Sequence, residues 1–115
     1  MNPGIPDIIS SAVKELENSL VAIIHDRLKK IILYGSFSRG DYGTESDVDV
    51  LILADLPEPE FGELNKRLDI LSTDLSLKYN IVLSPILKNV NTFSKYSEAL
   101  PFYKNIIKEG IVLYG

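Results

Sequence analysis

Gly35-Ser36-Phe37-Ser38-Arg39-Gly40-Asp41-Tyr42-Gly43-Thr44-Glu45-Ser46-Asp47-Val48-Asp49 is the stretch on which the reading of this chain turns. It lies between two apolar runs. Lys30 to Tyr34 comes before it, and the run from Asp47 to Ala54 overlaps its end. Both runs are short and rich in Ile, Leu and Val, the pattern of buried strands. The connection between them, Ser36 to Ser46, spans about eleven residues, long for a hairpin, and such loops tend to carry function. Its glycines and polar residues predict a loop with room for one helical turn.

Side chains alternate across a strand. Asp47, Asp49 and Leu51 are therefore placed on one face, and Val48, Val50 and Ile52 on the other, toward a core. Two carboxylates held side by side repel unless a proton or cation intervenes. Magnesium prefers such oxygens and commonly shares them with substrate phosphates. A pair of such ions can hold the attacking and leaving oxygens of a phosphoryl displacement. Gly35 lets backbone N–H groups approach a phosphate, Ser36 adds a hydroxyl donor, and Arg39 can pair with phosphate oxygens through its planar fork. A lone Gly-Ser is a common turn, a lone Asp-x-Asp a solvated strand start, and a lone arginine surface charge. Together on one loop between two strands, they point to a metal-bound nucleoside triphosphate and to nucleotidyl transfer.

Outward from this stretch the pattern is regular. Ile8, Ile9, Ala12, Val13, Leu16, Leu20, Ile23 and Ile24 recur at spacings of three and four and predict a helix from Pro6 to about Leu28. His25 falls near its C-terminal end, beside the helix dipole, where a structural role suffices. Pro57 and Pro59 lead into a second long helix, about Glu60 to Tyr79, with Phe61, Leu64, Leu68, Leu71, Leu75 and Leu77 as its stripe. Asn80 to Leu87 reads as a third strand, and Pro85 places it at an edge or a strand end. Two short helices follow, Asn91 to about Ala99 and Pro101 to Glu109. Gly110 closes the second, and Ile111 to Tyr114 forms a short last strand. The order α-β-β-α-β-α-α-β fits one mixed sheet covered by helices.

The 115 residues fit one domain. Net charge is −4, which argues against an extended nucleic-acid surface. There is no cysteine and a single histidine, so disulfides, thiolate sites and histidine-based zinc sites are excluded. Met1 to Asp7 has no signal-peptide pattern, and no apolar run reaches the roughly 20 residues a membrane span needs. The cytoplasm is the expected compartment.

Gly35-Ser36, ten intervening residues and Asp47-Val48-Asp49 resemble the defining motif of the DNA polymerase β-like nucleotidyltransferase superfamily. The form Gly-Ser-Phe-Ser-Arg-Gly, the short length and the ending from Pro101 to Gly115 resemble its minimal branch, the MNT-domain proteins. The resemblance implies an α/β (α+β) fold with a mixed sheet of about four strands in a single domain over residues 1–115. It implies that Gly35 and Ser36 hold triphosphate. It also makes Asp47 and Asp49 the catalytic residues and the ligands of one or two magnesium ions, with ATP as substrate. MNT-domain proteins pair with HEPN-domain toxins and can adenylylate a toxin tyrosine, so an antitoxin role follows by the same resemblance.

One departure stands out. Active relatives often carry a third carboxylate on the next core strand, but here the corresponding position is Val82 or Ser84. Asp69 and Asp74 read as surface residues of the helix. Asp41 and Glu45 in the loop are the remaining substitutes. Three functions compete: adenylyl transfer to a partner protein, a nucleotide-binding antitoxin that acts by docking, and a small-molecule nucleotidyltransferase completed by a second subunit of a homo-oligomer. Phe93, Tyr96, Phe102 and Tyr103 are candidates for an interface or for core packing.

Overall fold

The computed structural model describes residues 4–43 and 45–115. Residues 1–3, at the start of the segment read as lacking a leader, and Thr44, in the long loop, lie outside the described residues. Helix α1 is Asp7–Ile24, followed by one 3-10 turn, His25–Arg27. Strand β1 is Leu28–Tyr34, α2 the single turn Ser36–Arg39, and β2 Val48–Ala54. Helix α3 is Glu58–Tyr79 and β3 is Leu83–Asn89. The chain ends with α4, Val90–Tyr96, α5, Pro101–Glu109, and β4, Ile111–Tyr114.

The sheet runs β3-β2-β1-β4. β1 pairs antiparallel with β2 and β4, while β2 and β3 are parallel, joined by α3 as the crossover. This is the mixed four-stranded α+β arrangement the sequence predicts. Pro85 lies on β3, an edge strand, where a missing N–H is tolerated.

Both faces of the sheet are covered. Val48, Val50, Ile52 and Ala54 of β2 join Ile31 and Leu33 of β1 beneath α1 and α3. α1 contributes Ile9, Val13, Leu16, Leu20 and Ile24, and α3 contributes Leu64, Leu68 and Leu75. On the opposite face Ile32, Leu51 and Leu53 pack against Phe93 of α4 and Tyr103 and Ile106 of α5. The sequence reading placed only the Val48 face toward a core. It missed the second core because two of that core's helical members, Tyr103 and Ile106, lie about fifty residues further along.

Several boundaries move for local reasons. α1 stops at Ile24, because His25 adopts φ 53° and ψ −129° and caps it through its N–H to the Val21 carbonyl. Leu28 is thereby freed to enter β1 opposite Ala54. β3 starts at Leu83 rather than Asn80. Asn80 is left-handed and caps α3, and the Ser76 hydroxyl accepts from the Leu83 N–H at 3.0 Å, so residues 80–82 belong to the turn. Asp47 likewise precedes β2 instead of opening it. Leu77, assigned to the α3 stripe, is 78% exposed. Asp69 and Asp74 are exposed on α3, as read from the sequence. Gly110 lets α5 turn into β4, since a Cβ there would stand 2.5 Å from the Ile32 side chain.

Candidate active site

The site is built where β1 ends. Tyr34, its last residue, is the cross-strand partner of Asp49, so both side chains leave the same face of the sheet. Gly35 then turns the chain with φ 76° and ψ −154°, a conformation L side chains rarely adopt. A second constraint acts at the same residue. A Cβ on Gly35 would lie 2.5 Å from Oδ2 of Asp49. The glycine is thus tied to the aspartate fourteen positions later by direct approach.

The turn is held through the Gly35 carbonyl, which accepts from the N–H groups of Ser38 and Arg39, each at 3.2 Å, and from the Ser38 hydroxyl at 2.8 Å. Phe37 anchors the same turn in the core under α1 and α3, and its ring stacks on Tyr42 with centroids 4.5 Å apart. A rigid turn therefore presents Ser36 and Arg39 next to Asp49.

These residues form one wall of a cleft of about 410 Å³: Tyr34, Gly35, Ser36, Arg39 and Asp49. The other wall is α5, through Phe102, Asn105, Ile106 and Glu109. The Phe102 ring meets the Tyr34 ring edge to face at 5.6 Å. The structure thus brings Gly35, Ser36, Arg39 and Asp49 together. Asp47 is exposed outside the cleft lining, close enough for its charge to act on Asp49.

Burial, and then the charge of Asp47, push the Asp49 carboxyl above its ordinary value, with Arg39 opposing the shift. Burial and the charge of Asp49 push the Tyr34 hydroxyl up to about 12, so it stays a neutral donor at physiological pH. The Arg39 guanidinium lies at the rim. Its Nε is 3.1 Å from Asp41 and its Nη1 is 3.3 Å from Glu109, and both contacts hold it above its ordinary value.

Ser84 of β3 stands in register with Asp49, so the neighbouring-strand position carries a hydroxyl, not a carboxylate. Val82 precedes β3, is 55% exposed, and accepts the Val48 N–H through its carbonyl at 2.7 Å. Asp41 is taken up by Arg39, and Glu45 is exposed. Among the described residues no group of three acidic or histidine side chains gathers to hold a metal. Asp41 and Glu45 stand outside the cleft lining. Two carboxylates offer the hard oxygens that suit a magnesium ion also bound by substrate phosphates, and they fit one such ion better than two.

The sequence reading did not place Tyr34, Asn105, Ile106 or Glu109 in the site, and it named Phe102 only as an interface or core aromatic. Within α5 a signal was present, since Phe102, Ile106 and Glu109 recur at helical spacing on one side. Of the four aromatic candidates, Phe93 and Tyr103 are core residues, while Tyr96 and Phe102 are 41% and 43% exposed.

Residues 9–114 match the profile of the nucleotidyltransferase domain. In Methanocaldococcus jannaschii, the protein named "Putative protein adenylyltransferase MJ0604" is 41% identical over 103 residues, which is 90% of this chain and 95% of that one. A second from the same organism, "Putative protein adenylyltransferase MJ0141", is 46% identical over 79 residues, 69% of this chain and 78% of that one. A toxin-antitoxin crystallised with AMP-PNP superposes with a TM-score of 0.54 at 18% identity, over 92% of this chain and 73% of that chain. A mutant of the toxin-antitoxin MntA-HpeT gives 0.52 at 19%, over 89% and 73%. At such identities these structures share the fold, which is polymerase β-like. Matched along nearly its whole length and at 41% identity to a relative of almost equal span, this chain belongs to the nucleotidyltransferase domain family.

Proposed function

We propose that this protein is a magnesium-dependent adenylyltransferase that moves AMP from ATP to a hydroxyl of a protein partner. The partner we favour is a HEPN-type toxin modified on a tyrosine in the cytoplasm, which makes this protein its antitoxin. One observation carries the reading. Asp49 sits in the cleft against Gly35 with its carboxyl raised by burial and by Asp47, while Arg39 is already engaged by two other acids. Such a pair is poised to take a cation that arrives with a nucleotide. The names of the M. jannaschii relatives support protein adenylylation, and AMP-PNP in a structural neighbour supports ATP.

Each residue has a role in this reaction. Asp47 and Asp49 hold the magnesium, which when bound neutralises charge on the triphosphate. Gly35 and Ser36 cradle phosphate oxygens through N–H and hydroxyl donors, and Arg39 meets them with its fork. The acceptor oxygen attacks the α-phosphorus in line. The bond from that phosphorus to the bridging oxygen of the β-phosphate breaks, and pyrophosphate leaves with the electron pair. No carboxylate on β3 faces the acceptor, so its proton passes to water or to a base on the partner. Catalysis rests on positioning and charge neutralisation. One minimal domain carries this chemistry, and acceptor recognition is left to the partner.

The residue at position 84 favours a second reading. With Ser84 where a carboxylate would assist attack, the protein can serve as a nucleotide-binding antitoxin that docks without transfer. The two readings separate in one experiment. Purified protein, magnesium and α-labelled ATP are incubated with the candidate HEPN-domain partner. Adenylyl transfer requires label on the partner, abolished in Asp47→Asn/Asp49→Asn. Docking requires no label, and the double variant still neutralises the toxin.

A further inference from the structure

We propose that Glu109 is a selectivity residue that makes the cleft reject nucleoside triphosphates lacking a metal. This deepens the nucleotide-site reading and rests on it. The charged residues lining the cleft are Arg39, Asp49 and Glu109, one cation and two acids. Among the described residues Arg39 is the only positive group in that lining, and Glu109 holds its Nη1 at 3.3 Å while Asp41 holds its Nε at 3.1 Å. A bare triphosphate entering here meets two carboxylates and an arginine whose charge is already balanced twice. Once a divalent cation satisfies Asp49 and Asp47 and lowers the charge of the nucleotide, Arg39 gains by exchanging Glu109 for phosphate oxygens.

Helix stability gives no reason for Glu109. It is the last residue of α5, where the helix dipole disfavours a carboxylate. Its partner is 43% exposed and it is itself 35% exposed, so the ion pair adds little to folding. The contact nevertheless joins groups seventy residues apart, across the mouth of the cleft. Glu109 acts through Arg39 and is a positioning residue, not a catalytic one.

The test is equilibrium binding of ATP with excess magnesium and, separately, of ATP with EDTA, to wild type, Glu109→Gln and Glu109→Gln/Arg39→Gln. Wild type is expected to bind ATP with magnesium and to bind it much more weakly in EDTA. Glu109→Gln is expected to tighten EDTA binding by roughly tenfold, the scale of one partly screened charge contact. Its affinity with magnesium changes far less, so the metal dependence shrinks. The double variant is expected to lose that gain, because Arg39 carries it. Glu109→Ala serves as a second variant and should behave as Glu109→Gln does. Unchanged EDTA binding in both single variants, with wild type still binding magnesium-ATP, overturns this proposal alone. Failure of wild type to bind magnesium-ATP overturns the nucleotide-site reading and this proposal with it.

Discussion

Asp49 lies in the cleft with a carboxylate whose charge the fold disfavours. Its carboxyl is raised in the folded protein by burial and by Asp47. The folded state therefore binds this proton more tightly than the unfolded state does. The resulting stabilisation is fully present below the ordinary carboxylate range, about pH 3.9, and is lost as pH rises through the raised folded value. At neutral pH the ionised side chain is a net cost. Asp49→Asn should melt a few degrees above wild type at pH 7, and the difference should close in acid, as thermal denaturation across pH would check. Gly35→Ala should go the other way. Alanine at φ 76° and ψ −154°, a region essentially reserved for glycine, costs about 1–3 kcal/mol, and its Cβ must also displace the Asp49 carboxylate. Urea unfolding should show the lower stability, and a nucleotide titration should show binding lost beyond what stability explains. The turn at Gly35 and Ser36 and the place of Asp49 beside it were legible in the sequence because turn chemistry and strand alternation are local rules, whereas Asp47 precedes β2 and lies outside the cleft lining. Tyr34 was not, since it reads like any aromatic strand residue until its pairing with Asp49 is known.

Among the elements, α5 changes most in meaning between sequence and structure. Its existence and limits, Pro101 to Glu109, follow from the proline at the first turn and the glycine after the last. Its role as the second wall of the cleft does not, because that depends on which face of β1 it covers. The register of β1 with β2 and β4 sets that face. The start of β3 shows the same limit. Asn80 looks like the first residue of a strand, but the N–H groups of Asn80 and Ile81 both donate to the Ser76 carbonyl and end α3. Ile106 links the two roles of α5, being 2% exposed in the core beneath the helix while lining the cleft. Ile106→Ala should destabilise by about 2–5 kcal/mol, as deletions of buried aliphatic groups do. Calorimetry would measure that loss, and nucleotide affinity should fall with it as the wall loosens.

At the scale of the whole molecule, the chain carries a net charge of −4, and no described helix is long and apolar enough to cross a membrane. An acidic surface repels the phosphates of duplex DNA, so a filter-binding or anisotropy titration at physiological salt should show no appreciable association. The described structure devotes two helices to each side of one sheet and sets its cleft between α5 and the Gly35 to Arg39 turn with Asp49. Nucleotidyl transfer itself is tested most directly by following the two ends of ATP in parallel. The protein, magnesium and a candidate HEPN-domain protein are incubated with α-labelled ATP in one reaction and γ-labelled ATP in another. The account requires the α label to appear on protein and the γ label to leave as pyrophosphate, with neither event in Asp47→Asn/Asp49→Asn. Transfer of the γ label to protein, or α transfer that survives the double substitution, would contradict it.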